Sequence, residues 1–225
     1  AGAFSIANLD IDGGTDIGAD IVDADLFIID DGAGGTNRKT TASRIKSYVG
    51  GGTHVQTGRT VLSSNASAID VNSCFSSTYD TYLIIADKLE CTVDSQYLFA
   101  RLRNDSGSVT SSNYKYANRY FEDDNNTENQ SANSADNKYD IANASDDSSN
   151  SGFYHAHMYV HRPADANTQT RMIVQSSFFS DDESDIKVGI GACAFTNPEA
   201  HTGISFNIST GDIRSGASIT VYGIA

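Results

Sequence analysis

Several residue types and patterns are missing or scarce in this chain. It has no tryptophan and only two prolines, Pro163 and Pro198. No apolar run reaches the roughly 18 residues of a membrane-spanning helix, so we expect no such span. No charged, apolar and then small-residue leader opens the chain, which argues against a secretion signal. The Ala1-Gly2-Ala3 start fits removal of an initiating methionine from a protein made in the cytosol.

Cysteine is scarce as well. Cys74, Cys91 and Cys193 lie far apart, and none belongs to a Cys-x-x-Cys pair. This spacing argues against a disulfide framework and against a zinc knuckle. We therefore expect three buried, reduced thiols, the state that the cytosol maintains.

Positive charge is in short supply and unevenly placed. With 15 Lys and Arg against 29 Asp and Glu, the net charge is −14. This negative charge disfavours nucleic acid as a partner. An ordinary acidic soluble protein can carry the same charge. Residues 1–37 hold eight aspartates and no cation, whereas Arg38, Lys39, Arg44 and Lys46 follow closely. Such separation of sign indicates a segment that docks on another molecule or on a neighbouring copy.

The first 52 residues are predicted to form an arm of their own. Residues 4–12 alternate loosely and are predicted to be extended, and a glycine-rich turn follows at residues 32–35. Thr40 or Thr41 is suited to cap a short helix with Ala42, Ile45 and Val49 on one face. Because so short a helix is unstable alone, this face needs a partner. Gly50 to Gly52 indicate a linker, which separates a docking arm (residues 1–52) from an outer domain (residues 53–225).

The glycine-rich turn superficially resembles a nucleotide-binding loop. When Lys39 and Thr40 are aligned with the phosphate-loop pattern, Ala33 and Arg38 occupy its two glycine positions. The dinucleotide pattern fails too, because Asn37 stands where its third glycine belongs. Without these glycines the backbone amides cannot wrap a phosphate, and we expect no nucleotide cofactor.

The outer domain is predicted to be β structure throughout. Nine segments are rich in β-branched and aromatic residues and are bounded by Gly, Asn, Asp and Ser. Both prolines fall between segments, where they interrupt no strand. The fold class is therefore all-β, an antiparallel jelly-roll-like sandwich of about nine strands. The segments are residues 55–62, 81–89, 97–103, 114–121, 153–161, 170–178, 186–195, 204–208 and 217–222.

The stretch from Glu122 to Gly152 is strongly polar. We expect a long solvated loop there, with one short strand around Tyr139 and Ile141. The alternative is a loop that contacts a receptor, since loops carried by rigid sandwiches often perform recognition.

Histidines cluster in one predicted strand. In Phe153–His161 a period of two places Tyr154, Ala156, Met158 and Val160 on an apolar face that should meet the core. His155, His157, Tyr159 and His161 share the other face. They suit either a surface or subunit contact or, if three copies met on a threefold axis, a metal site.

Tyrosines cluster in another predicted strand. Tyr114, Tyr116 and Tyr120 share a face with Asn118. Tyrosines in such a row either pack within the sheet or stack on sugar rings at a receptor-binding surface.

Motifs for calcium binding and catalysis are incomplete or missing. Asp10 and Asp12 begin a calcium-loop pattern, but Gly14 replaces the third ligand and no glutamate closes the loop. No nucleophile elbow or His-Glu-x-x-His helix is present. A pair of carboxylates in a groove would need no local motif, but a small domain without tryptophan makes this unattractive. We expect no catalytic, cofactor-binding or metal-ligating residues and no enzyme activity.

Two N-terminal segments resemble a known class of proteins. They are Leu9-Asp-Ile-Asp-Gly-Gly-Thr-Asp-Ile-Gly18 and Asp25-Leu-Phe-Ile-Ile-Asp-Asp-Gly-Ala-Gly-Gly-Thr-Asn-Arg-Lys-Thr-Thr-Ala-Ser-Arg-Ile-Lys46. They resemble the N-terminal segment of virion structural proteins, tail-fibre-like or head-surface, of tailed phages of aquatic bacteria. Residues 75–85 with 99–107 resemble the first strands of their outer domain, and residues 209–224 resemble its closing strand. The resemblance implies a part of the virion rather than a known chemistry.

These observations predict a non-enzymatic structural protein on the surface of a bacteriophage virion, synthesised in the host bacterial cytoplasm. We expect a homotrimeric, tail-fibre-like appendage that serves host attachment, with residues 1–52 bound to other virion proteins and a host surface glycan as a further partner. Several weak contacts per particle would add up to firm adhesion. A capsid decoration or cement protein (a head fibre) that stabilises the shell is the alternative, and a carbohydrate-binding lectin is a third.

Overall fold

The computed structural model describes residues 18–30, 37–49, 53–93, 95–123, 128–145, 153–179 and 186–225. The chain separates into two compact units, residues 1–51 and residues 52–225. The predicted extended segment at residues 4–12 and the glycine-rich turn lie outside the described residues.

The N-terminal unit contains a hairpin followed by a helix. Strand β1 (Leu26–Asp30) pairs antiparallel with β2 (Asn37–Thr41), and α1 (Ala42–Val49) follows directly. The carbonyl of Asp25 accepts a hydrogen bond from the Ala42 amide at 2.8 Å, and that of Asp23 accepts one from Ser43 at 3.3 Å. These carbonyls accept hydrogen bonds from amide groups at the start of the helix, which have no partner within the helix.

The predicted short helix is confirmed, but the approach to it was not foreseen. Residues 37–41 form a strand, because Lys39 and Arg38 pair with Ile28 and Ile29 along the hairpin. Thr40 is buried in that strand, and the helix begins after Thr41.

The second unit is built almost entirely of strands. In chain order they are β3 (His54–Val61), β4 (Ala68–Val71), β5 (Thr81–Glu90), β6 (Gln96–Asn104), β7 (Gly107–Ser108), β8 (Tyr114–Glu122), β9 (Glu128–Asp136), β10 (Tyr139–Ser145), β11 (Phe153–His161), β12 (Arg171–Phe179), β13 (Ile186–Phe195), β14 (Gly203–Ile208) and β15 (Ser218–Ile224).

The strands form two antiparallel sheets. The large sheet has the order β3-β15-β5-β11-β12-β13-β8-β9, and the small sheet has the order β10-β6-β14-β4 with β7 beside β6. The chain crosses between the sheets eight times: at β3 to β4, β4 to β5, β5 to β6, β7 to β8, β9 to β10, β10 to β11, β13 to β14 and β14 to β15. The predicted all-β, antiparallel sandwich is confirmed, and its finer description as a jelly roll stays a prediction.

The core lies between the two sheets and is rich in tyrosine. Tyr114 on the large sheet accepts a hydrogen bond from the Leu102 amide at 2.9 Å, and Tyr154 donates one to the Gln96 carbonyl at 3.0 Å. Both partners belong to β6 of the small sheet. Each ring thus fills the core while its hydroxyl group satisfies a buried backbone group.

The prediction of a long solvated loop at residues 122–152 was wrong for most of that stretch. Residues 128–136 form β9, which pairs with β8 at the edge of the large sheet, and residues 139–145 form β10. An edge strand is held by backbone hydrogen bonds along one side, so it tolerates the polar side chains that suggested a loop. The short strand expected around Tyr139 and Ile141 is confirmed as part of β10.

Candidate functional site

The histidine strand is oriented as predicted. Tyr154, Ala156, Met158 and Val160 are buried in the core, whereas His155, His157 and Tyr159 are exposed and His161 is half-buried. His161 Nδ1 lies 3.1 Å from the Thr81 hydroxyl group. Among the described residues, no three His, Cys, Asp or Glu side chains come together as a metal site would require. The hypothesis of a metal on a threefold axis stays a prediction.

The tyrosine strand faces inward, so its tyrosines cannot stack on a receptor sugar. Tyr114, Tyr116 and Tyr120 are buried, and the packing interpretation is confirmed. Tyr116 donates a hydrogen bond to the Asp140 carboxylate at 2.8 Å, and Tyr139 donates one to Asn118 Oδ1 at 3.1 Å. Burial raises the pKa of Tyr120 to about 12. Burial and the neighbouring Asp140 likewise raise the pKa of Tyr116.

The three cysteines are free and buried, as predicted. Burial raises the pKa of Cys74 to about 12 and also raises that of Cys193. Thiols in this state are poor nucleophiles. The incomplete calcium pattern at Asp10 and Asp12 lies outside the described residues.

The surface of the large sheet that points away from the core, here called the outer face, brings together side chains from distant parts of the sequence. One row crosses the strands through the pairs Arg59–Thr220, Thr220–Ile85 and Ile85–His157. The row continues through Gln175, Ile190 and Arg119. Side chains that lie opposite each other on neighbouring strands share a face, so this row is a continuous surface.

The outer face has two chemically different halves. On β3, β15, β5 and β11 it carries mostly polar groups, which surround a depression of about 360 Å³ that we call the polar pocket. The side chains that give the polar pocket its chemistry are Arg59, Asp87, His155, His157, Thr220 and Tyr222.

The other half, on β12, β13, β8 and β9, is here called the apolar half. Phe121, Ile173, Val188 and Ile190 are each more than 40% exposed there. Between them, small side chains such as Ala117 and Ala132 line a groove of about 620 Å³.

A β-bulge shapes the polar pocket. Between the pairs Tyr154–Leu89 and Ala156–Ala86, β5 contains one residue more than β11. Lys88 has a φ of 55° at this point, so Asp87 and Lys88 both lie on the solvent side while Leu89 is buried again. His155 Nδ1 lies 2.9 Å from Asp87 Oδ1. Bulges often redirect a side chain in this manner beside a functional site.

Sequence reasoning found two members of the polar pocket, His155 and His157, and missed the others. Arg59, Asp87 and Tyr222 lie on three different strands, and only the register of the sheet brings them together. No local motif signals such a site, because its members are neighbours across strands rather than along the chain.

Comparisons with protein-family models, with curated proteins and with solved structures gave no match. Within the part of the chain that the structure describes, no helix has the length and apolar character needed to cross a membrane.

Proposed function

We propose that this chain is a non-enzymatic structural protein on the surface of a phage virion. In this proposal the N-terminal unit attaches the protein to other virion proteins, and the β-sandwich projects as a tail-fibre-like appendage that takes part in host attachment. The resemblance of residues 9–18 and 25–46 to virion proteins motivates the proposal.

The observation that carries it is the exposure of apolar side chains in the N-terminal unit. Ile28 is 65% exposed and Tyr48 is 92% exposed. Ile21, Val22 and Leu26 are also more than half exposed. The described part of this unit, a two-stranded hairpin with an eight-residue helix, has too little interior to bury these groups. Exposure of several large apolar side chains in one small unit is typical of a region that binds a partner.

Copies of the chain are proposed to associate as a homotrimer. The apolar half of the outer face supports this part, because a sheet face with exposed Phe121, Val188 and Ile190 gains stability when another subunit covers it. Several copies per particle would also raise avidity for a host surface.

The anchoring role is tested by incorporation into particles. Deletion of residues 1–52, or the single change Ile28→Asp in the full chain, is expected to abolish incorporation because each removes apolar surface from the contact. Ser112→Asp, an exposed position in the second unit, is the matched control and should leave incorporation unchanged. Particles purified from phage that carry each variant are quantified by mass spectrometry, and normal incorporation of the deletion variant would disprove the anchor.

A capsid decoration or cement protein is the second candidate, since an exposed apolar unit also suits the seams between capsid subunits, where burial of surface stabilises a shell. Copy number separates the two roles: hundreds of copies per virion indicate the capsid and far fewer indicate the tail. A lectin that acts outside the particle is the third candidate, favoured by the polar pocket, and would be absent from purified virions.

A further inference from the structure

We propose that the polar pocket binds a saccharide that carries a carboxylate group, such as a uronic acid unit of a surface polysaccharide. This inference rests on the proposed function because host attachment would supply the ligand. The binding site itself is inferred from its own side chains.

The polar pocket has the size and setting of a ligand site. Its volume of about 360 Å³ falls within the usual range of roughly 300–1,000 Å³ for small-molecule sites. The row Arg59–Thr220–Ile85–His157 crosses four strands, a distance of roughly 14 Å at ordinary strand spacing. The polar groups are therefore held by a rigid sheet and do not depend on a loop.

Arg59 determines the charge of the ligand. Its guanidinium group is exposed and makes no hydrogen bond or ion pair with other described residues. An arginine placed in this way binds a carboxylate with two parallel hydrogen bonds. The Asp87 carboxylate in the same pocket contacts His155 through Oδ1.

The other groups favour a hydroxylated ring. Asp87 accepts hydrogen bonds, and its contact with His155 holds the carboxylate in place. The Thr220 hydroxyl group and the His157 imidazole can each donate or accept one. Tyr222, half-buried beside them, offers an aromatic face against which the apolar side of a sugar ring can pack. A saccharide with hydroxyl groups, an apolar ring face and a carboxylate suits this combination of groups.

Binding is measured with the full chain by calorimetry and by ligand-observed NMR. The probes are oligosaccharides of glucuronate, galacturonate, mannuronate and guluronate, each beside its carboxyl-reduced, neutral counterpart. We expect at least one uronate to bind with a dissociation constant near or below about 1 mM, and its neutral counterpart to bind at least about tenfold more weakly.

Variants assign the binding to the pocket. Arg59→Gln is expected to weaken uronate binding by roughly ten- to a hundredfold, which corresponds to the loss of charge-assisted hydrogen bonds. Arg171→Gln removes an exposed arginine from the same outer face, outside the polar pocket, and should change the affinity less than about twofold. Tyr222→Ala should weaken binding, whereas Tyr222→Phe keeps the ring and should retain it.

Three results would overturn the proposal: no uronate binds at about 10 mM, well above a millimolar dissociation constant; the neutral counterparts bind equally well; or Arg59→Gln and Arg171→Gln have the same effect. The presence or absence of the protein in purified virions separates failure of the saccharide site from failure of the proposed function. A protein that is present in virions but binds no uronate loses only the site, whereas one that binds uronate but is absent from virions retains the site and loses the virion role.

Discussion

His201 is buried against several polar groups of the second unit. Its Nδ1 lies 3.2 Å from the Thr170 hydroxyl group, and its Nε2 lies 3.3 Å from Glu199 Oε1. Burial lowers the pKa of His201, although Glu199 and the Pro163 carbonyl act in the opposite direction. The neutral imidazole is therefore the form that the fold accommodates.

This burial predicts a loss of stability in mild acid. Because the pKa of His201 is lower in the folded state than the ordinary value of 6.5, the unfolded chain takes up the proton first as the pH falls. Stability from this group is complete above about pH 6.5 and decreases below it, with a slope of at most about 1.4 kcal/mol per pH unit. Urea unfolding between pH 7.5 and pH 5 measures the slope.

The variant His201→Gln isolates the effect. Glutamine can still contact Thr170 but does not titrate, so its unfolding free energy should depend less on pH between 7.5 and 5. The exposed His157→Gln serves as the control and should retain the wild-type slope. Equal slopes in all three proteins would contradict a role for His201.

At the scale of elements, the bulge in β5 is the feature on which the polar pocket depends. Lys88 adopts a left-handed backbone conformation, with a φ of 55°, which is costly for any residue other than glycine. Without the extra residue, the alternation along β5 would move Leu89 from the core to the solvent side. The cost at Lys88 is thus offset by the burial of Leu89.

Because of the bulge, we can predict whether glycine at position 88 raises or lowers the free energy of unfolding. Lys88→Gly should raise the free energy of unfolding by about 0.5–1 kcal/mol, because glycine adopts positive φ without strain. Gln175→Gly, a glycine substitution at an exposed position where β12 pairs without a bulge on both sides, should lower it by about 0.5–1 kcal/mol. Urea midpoints of both variants test this, and destabilisation by Lys88→Gly would show that the bulge carries no strain.

Strands with a strong side-chain pattern could be predicted from the sequence. Strands that form only because a neighbouring strand pairs with them could not. The strands at Phe153–His161 and Ile186–Phe195 have the predicted bounds, because both segments are rich in β-branched and aromatic residues. Residues 128–136 gave no such signal, since β9 contains no apolar residue larger than alanine. It is a strand because β8 offers it an open edge. Strand β4 has only four residues, which are too few for an alternation of apolar and polar side chains to be recognised.

For the molecule as a whole, the division of the outer face has consequences for assembly. The apolar half contains Val188 and Ile190, each almost half exposed, whereas the other half surrounds the polar pocket. If copies associate through the apolar half, the interface and the proposed saccharide site lie side by side on one sheet without overlapping.

Val188→Asp, at a position whose cross-strand neighbours are Phe121 and Ser177, is therefore expected to convert the proposed trimer to a folded monomer that unfolds at a lower urea concentration, because the stabilisation by the other subunits is lost. A buried, unpaired carboxylate is costly at an interface, whereas at an exposed position of a monomer it costs little. Thr220→Asp adds the same charge to the polar half of the face and should leave the mass of the assembly unchanged. Sedimentation at micromolar protein concentration gives the masses, and a monomeric wild-type protein would refute association through this face.

The sequence by itself determined the class of fold and the burial of the three cysteines as free thiols. It also determined which face of one strand points inward, the face of Tyr154, Ala156, Met158 and Val160. Each of these follows from local alternation or from composition. Only the tertiary structure decided that the tyrosines of β8 are core residues hydrogen-bonded to the opposite sheet and that a polar stretch is an edge strand. It also decided that Arg59, Asp87 and Tyr222 line the same pocket as His157. The physical reason is that hydrogen bonds between strands join residues without regard to their separation along the chain, and one bulge changes which side chains share a face.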